Sequence, residues 1–216
     1  MSTISPAQIE SPQETVEQSH QAFFAAAARL IDIAGALVGL VVLGPVILAG
    51  ALIVKVTDPG PAFYTQWRVG HRGRLFRIYK LRTMYRGAER SSGAIFSSPQ
   101  DGRVLPCGRW MRRSHIDELP QLINILKGEM SLVGPRPERP EIFQQITRQL
   151  PEFTERLAVR PGVTGLAQLR NGYTNDLNGH RRKLAYDLLY IRRTNPWMDL
   201  KLILGTVTRL WDRNAC

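Results

Sequence analysis

A zinc site and a disulfide framework are close to excluded by scarcity. The 216 residues hold two cysteines, Cys107 and Cys216, and four scattered histidines, His20, His71, His115 and His180, none at metal-ligand spacing. Two lone thiols make no disulfide framework and suit a reducing compartment. No internal repeat occurs, and no recognition-helix, RNP-like or zinc-finger pattern appears. Acidic residues are also few where they would balance the charge. Ahead of Ile33, Glu10, Glu14, Glu17 and Asp32 stand against Arg29 alone, whereas from Lys55 onward 28 Lys and Arg face 14 Asp and Glu. The formal net charge of +11 is therefore concentrated in the larger part. That part needs an anionic partner: nucleic acid, a lipid surface or a phosphorylated substrate.

One stretch lacks charge altogether. Ile33 to Val54, "IAGALVGLVVLGPVILAGALIV", runs 22 residues without an ionisable side chain. As a helix it would be about 33 Å long, against roughly 30 Å for a bilayer core. Its acidic lead-in and its length do not fit a secretory signal, so no cleavage is expected. A buried core helix would normally keep a polar face. Gly44 and Pro45 fall at the middle, where proline removes a backbone hydrogen bond and clashes with the preceding turn. Arg29 and Asp32, three apart, can pair at the near end. A re-entrant hairpin and a tilted single span are both open, and either leaves the basic part on the cytoplasmic side.

Residues 1 to 21 are polar and read as a disordered or frayed lead-in; 22 to 56 form the membrane helix, and 57 to 216 a cytoplasmic domain. Its start predicts a β-hairpin, with strands through Phe63 and Tyr64 and through Leu75 to Tyr79 joined by a turn at Gly70 to Gly73. "RGAERSSGAIFSSPQDG" lacks periodicity and reads as a mobile loop. Helical stripes follow: Leu122, Ile125 and Leu126 after Pro120, placed near a first turn; Ile142, Ile146, Leu150, Phe153 and Leu157, as one helix or two broken at Pro151; and Leu184, Leu188 and Ile191. The last helix places Leu200, Ile203, Val207 and Leu210 on one stripe, with Trp197 and Trp211 beside Lys201 and Arg209. It suits a membrane interface or a seat on the core equally.

The chemistry centres on "SHIDELPQLINILKGEMSLVGPRPERPE". Asp117 and Glu118 sit ahead of Pro120, where a helix start favours negative charge, so capping is the ordinary reading. Arg109, Arg112 and Arg113 precede them. Arg136 follows, held between Pro135 and Pro137 with little entropy to lose, as bidentate phosphate recognition asks. A carboxylate among arginines stays ionised and can attack phosphorus. A second carboxylate beside it can hold magnesium against phosphate oxygens.

At these residues the chain resembles the bacterial sugar transferases, also called monotopic phosphoglycosyl transferases. The resemblance rests on the apolar segment with Pro45, "DPGPAFYTQWRVGHRGRLFRIYKLRTM", "DGRVLPCGRWMRRSHIDELPQLINILKGEMSLVGPRPE", "RPGVTGLAQ" and "AYDLLYIRRTNPWMDLKLILGTV", in the family's order from about residue 22 to 210. It implies a predominantly α fold with a short β-hairpin. The protein would be monotopic, with a kinked re-entrant N-terminal helix around Gly44 and Pro45 and interfacial amphipathic helices. It implies transfer of a sugar phosphate from a UDP-sugar to polyprenyl (undecaprenyl) phosphate at the bacterial inner membrane, with release of UMP and initiation of surface glycan synthesis. The catalytic domain would face the cytoplasm.

Carried over, Asp117 is the nucleophile that forms an aspartyl phosphosugar, and Glu118 its partner in binding Mg2+ and activating the acceptor. Lys80, Arg82 and Arg112 match basic elements of the site. Arg136, Arg160, Gln168 and Asp187 fall on positions that shape the nucleotide sugar pocket. The chain departs from the family at Gly44, where serine is frequent, at His115 and Ile116, and at "LRNGY" after Gln168. Many members carry a multi-span region ahead of this unit; here the minimal catalytic unit is expected. The expected partners are donor, acceptor and bilayer, without nucleic acid, and a homodimer is left open. Two rivals remain: a membrane-tethered basic module binding nucleic acid or anionic lipid, and a hydrolase in which water replaces the lipid.

Overall fold

The uncharged run folds as part of one long helix, α1 (Pro12–Thr57), unbroken at Gly44 and Pro45. In the computed structural model the described residues are 12–88, 101–171 and 176–209, with side chains described from 26 to 206. The helix thus begins within the expected lead-in, and most of the expected Ser- and Gly-rich loop lies outside the described residues.

Among the described side chains of α1, only a narrow stripe meets the rest of the protein. Asp32, Ala36, Ile47, Gly50 and Val54 are buried, at helical spacing. Leu37, Val38, Val41, Val42, Leu48, Leu52 and Val56 on the other sides are exposed. Small residues set the approach: a Cβ on Gly35 would lie 2.8 Å from Leu132 Cδ1, and one on Gly50 2.7 Å from Leu81 Cδ1. Gly44 plays no such part, since a Cβ there would meet nothing within 4 Å. A helix apolar on every side but one is built to face something other than water.

Both ends of the uncharged run in α1 are tied to the same body. Arg29 donates to the carbonyls of Ile125 and Leu126 at 2.8 and 3.1 Å, and Asp32 accepts from the Leu132 amide and the Ser131 hydroxyl at 2.8 and 2.9 Å. Arg29 and Asp32 each bond the body, where pairing with one another was expected. At the far end Asp58 accepts from Arg82 through its carboxylate and its carbonyl.

The hairpin forms as its alternation predicts. Strands β1 (Phe63–Val69) and β2 (Leu75–Leu81) pair antiparallel with Phe63 opposite Leu81 and Val69 opposite Leu75. Period two puts Phe76 and Ile78 into a core with Ala36, Leu122, Ile125 and Met130, and Lys80 on that same face.

Helix α2 (Pro106–Arg113) leads to a 3-10 turn, Ile116–Gln121, and then to the short helix α3 (Leu122–Leu126). Pro120 therefore lies inside the 3-10 turn, where the sequence placed it at a helix start. After α3, β3 (Ser131–Val133) pairs in parallel with β4 (Gly162–Thr164). Three-residue strands carry too little alternation to be read from sequence.

Between them α4 (Pro140–Gln149) and a 3-10 stretch, Pro151–Ala158, divide at Pro151, which decides between the one helix and the two that the stripe allowed. Ile142, Ile146, Leu150 and Phe153 join Leu184 of α6 in one cluster. Helices α5 (Leu166–Arg170), α6 (Leu177–Arg193) and α7 (Pro196–Arg209) complete the chain.

Helix α7 divides the sequence stripe, with Ile203 packed inward and Leu200 exposed. Leu202 is buried, with Met198 and Ile203 packed beside it, while Trp197, Leu200 and Leu204 are exposed. The apolar residues on this helix outnumber one face, so periodicity alone could not fix its rotation.

The seat of α2 is set by backbone contact. A Cβ on Gly108 would lie 2.3 Å from the Thr83 carbonyl oxygen and 2.9 Å from Thr83 Cα. Gly108→Ala should lower stability by about 1–3 kcal/mol, read as a fall in thermal midpoint. An unchanged midpoint would show that α2 has room to move off Thr83.

Candidate functional site

The turn that carries the two carboxylates is reached through a left-handed residue. His115 has φ +53°, and its carbonyl accepts the Glu118 amide at 3.1 Å. Histidine is one of the residues that enter this region most readily. The reversal separates α2 from the turn and puts Asp117 and Glu118 in the interior, 6% and 9% exposed.

The two carboxylates are not equivalent. Glu118 takes Lys80 Nζ at 2.6 Å and is gripped by Arg136, Nη1 to Oε2 at 3.0 Å and Nη2 to Oε1. Burial raises its proton affinity, but Arg136 and Lys80 outweigh that and hold its carboxyl well below the usual range. Asp117 Oδ1 is buried with no hydrogen-bond partner. Burial first, and then the charge of Glu118, push Asp117 up to about 6, against the pull of Lys80, Arg112 and Arg136. The cations expected to keep the aspartate ionised are thus spent on its neighbour.

Supports converge on the glutamate's partners. Asn124, fully buried, receives the Tyr79 amide at 3.0 Å and donates to the Arg77 carbonyl at 2.7 Å. This pins α3 to β2 on either side of Ile78, two residues from Lys80. Arg136 sits in the loop between β3 and α4, and Arg68 donates to the Pro137 carbonyl at 3.1 Å. Burial, then the charge of Arg136, lower the Arg68 pKa to about 10, which leaves it a cation at neutral pH.

The predicted site residues divide. Lys80, Arg112 and Arg136 come to the carboxylates, and Arg112 is steadied by the Thr83 hydroxyl at 2.9 Å. Arg109 and Arg113, one turn apart, point to solvent. Arg82 turns to Asp58. Arg160 donates to the Gly128 carbonyl at 3.1 Å, below the Arg29 end of α1. Gln168 donates to the Val163 carbonyl at 2.9 Å. Asp187 is 1% exposed and paired with Arg156 at 2.8 Å. Sequence reading missed Arg68, Thr83 and Arg156. Arg68 shares the inner face of β1 by strict alternation from Gln66, a signal that was present; Arg156 carries none.

A single Asp or Glu pair is a small metal site, and no group of three or more His, Cys, Asp and Glu converges among the described residues. The unpartnered Asp117 Oδ1 nevertheless fits a magnesium ion. Such an ion is usually held through one or two carboxylates, with substrate phosphates and water completing its shell.

A family model described as bacterial sugar transferase matches residues 23–213. The chain is 41% identical over 179 residues to the UDP-N-acetylgalactosamine-undecaprenyl-phosphate N-acetylgalactosaminephosphotransferase of Aeromonas hydrophila, covering 83% of this chain and 42% of that protein. It is 41% identical over 186 residues to the UDP-glucose:undecaprenyl-phosphate glucose-1-phosphate transferase of Caulobacter vibrioides, covering 84% and 68%. It is 37% identical over 187 residues to the exopolysaccharide production protein PSS of Rhizobium leguminosarum, covering 83% and 92%. The chain therefore spans less than half of the Aeromonas relative and most of the other two. The reading as a basic binding module gains nothing from these matches.

The raised proton affinity of Asp117 makes a stability prediction. The folded protein binds this proton more tightly than the unfolded chain, whose aspartate titrates near 3.8. Stability is therefore lost as pH rises from about 4 through about 6. Asp117→Asn, which cannot ionise, should melt several degrees above wild type at pH 7.5 in chelator, and together with it below pH 4. Equal midpoints at pH 7.5 would show that the aspartate is not held at a cost.

Proposed function

The chain belongs to the bacterial sugar transferase family, and on that premise we propose that it transfers a sugar phosphate from a UDP-sugar to polyprenyl phosphate through Asp117. The observation that carries this reading is the buried, unpartnered Asp117 Oδ1 beside a glutamate already neutralised by Lys80 and Arg136. Burial and the absence of a fixed partner on one oxygen leave the Asp117 carboxylate open to the donor's phosphate and its counter-cation.

In the first step an Asp117 oxygen attacks the β-phosphorus of the donor. A phosphorus–oxygen bond forms to the aspartate, and the bond to the bridging oxygen breaks. The electron pair departs with UMP. In the second step an oxygen of polyprenyl phosphate attacks the same phosphorus and the aspartyl bond breaks. Asp117 is thereby returned and a polyprenyl-diphosphate sugar is formed.

Arg112, held at Thr83, faces the charge on Asp117, and Arg136 and Lys80 supply positive potential where the diphosphate would lie. Magnesium would be held by Asp117, through Oδ1, and Glu118, and would neutralise phosphate oxygens when bound. Because Asp117 must lose its proton to attack, donor cleavage should rise with pH through about 6.

The same reading places α1 in one leaflet of the inner membrane, with the body on the cytoplasmic side. Its support is the double anchoring of the helix. A straight crossing would separate the Arg29 and Asp32 anchors from Asp58 by the bilayer thickness and draw the polar body in with them. The exposed Trp197, Leu200 and Leu204 of α7 would lie at the headgroup level.

Two measurements test the proposal. Purified protein given magnesium and a panel of UDP-sugars, with and without undecaprenyl phosphate, should release UMP from one donor, and Asp117→Asn should reduce release by at least about 10³-fold. Near-normal release by that variant would remove Asp117 as nucleophile. For topology, Ser5→Cys in a chain with Cys107 and Cys216 changed to Ser should resist an impermeant thiol reagent applied outside the cell. Labelling there would establish a full span.

A further inference from the structure

We propose that Arg156 and Asp187 form a positioning pair that acts on Arg136, in place of the pocket-wall role that the family pattern suggested for Asp187. The Arg156 guanidinium is surrounded: Nε and Nη2 meet Asp187 Oδ2 at 2.9 and 2.8 Å, and the ring of Phe153 lies 4.7 Å below it. Glu138 Oε1 is 3.9 Å from Nη1. Nη2 also donates to the Arg136 carbonyl at 2.8 Å. Both side chains of the pair are 2% exposed, so neither has a surface to offer a nucleotide.

The bond to the Arg136 carbonyl decides the role. Arg68 holds the next carbonyl, that of Pro137, at 3.1 Å, so two buried guanidiniums fix successive peptide groups of one loop. Gly134 is fixed as well: its amide donates to the Thr164 carbonyl at 2.8 Å. With its backbone held this way, Arg136 can place both terminal nitrogens on Glu118. Asp187 belongs to α6 and Arg156 to the 3-10 stretch after α4, so through this carbonyl both elements bear on the loop that carries Arg136. Lys183, also on α6, pairs with Glu138, so Glu138 stays neutralised when the Arg156 and Asp187 charges are removed together.

A solely structural pair and a positioning pair differ in what an apolar replacement restores. Arg156→Met with Asp187→Leu removes both charges at similar volume, an exchange that buried ion pairs often tolerate, but it supplies no donor to the Arg136 carbonyl. The test is a thermal cycle combining this double variant with Arg136→Met. It needs no substrate, so it stands apart from the transferase reading on which the role rests.

If Arg156 holds Arg136, Arg136→Met should lower the midpoint in the wild-type background by at least twice what it lowers it in the double variant. Equal losses in the two backgrounds would overturn the proposal. In the UMP assay the double variant should turn over about 10²-fold more slowly with the donor KM little changed, and adding Arg136→Met should slow it no further than Arg136→Met alone. Wild-type turnover in the double variant would equally overturn the proposal. Arg156→Leu with Asp187→Asn, which also removes both charges and the donor to the Arg136 carbonyl, runs the same cycle if the first pair does not fold.

Discussion

Glu118 takes the cations, and much of the site follows from that. Lys80 and Arg136 both close on this one carboxylate, and adjacent side chains on a tight turn cannot share them equally. Asp117 keeps its burial, and its Oδ1 has no hydrogen-bond partner. A carboxylate in that position is costly to ionise and reactive when ionised, whereas its neighbour is always ionised and already satisfied. Two acidic residues of nearly the same chemistry are thereby driven toward different tasks by the placement of two basic side chains.

That placement has to be rigid, since a shift of Arg136 toward Asp117 would abolish the difference. The protein fixes each cation through the backbone beneath it. Asn124 bridges α3 and β2 close to Lys80, while Arg68 and Arg156 hold the carbonyls of the Arg136 loop. Buried polar groups of this kind seldom add much net stability, because desolvation offsets most of what they gain. Their effect here is geometric: they fix the loop around which the charges are arranged.

The long helix obeys a separate constraint, that of packing on the body along one stripe while exposing apolar side chains elsewhere. Gly35, Ala36, Gly39, Gly50 and Ala51 let the body come close along one stripe, and the branched apolar residues on the other sides remain exposed. Close approach through small residues is how helices associate where no hydrophobic gain is available. The polar ties at Arg29, Asp32 and Asp58 bracket the stripe and set its register against α3, β3 and β2.

Much of this protein was legible in its residues one after another. Twenty-two uncharged residues dictate a long apolar helix; alternation fixes the hairpin and the inward side of Lys80; Pro151 marks where a break could fall; and the family motifs pick out Asp117, Glu118, Arg112 and Arg136. These are local patterns, and local patterns survive without a partner to complete them. What only the tertiary structure decided is which charge meets which. Arg82 goes to Asp58, Arg160 to a carbonyl, Asp187 to Arg156, and the arginines near Asp117 leave its Oδ1 without a partner. Long cationic side chains reach carboxylates many residues away in sequence, and burial of the carboxylate settles its proton affinity. Neither reach nor burial is encoded in spacing along the chain.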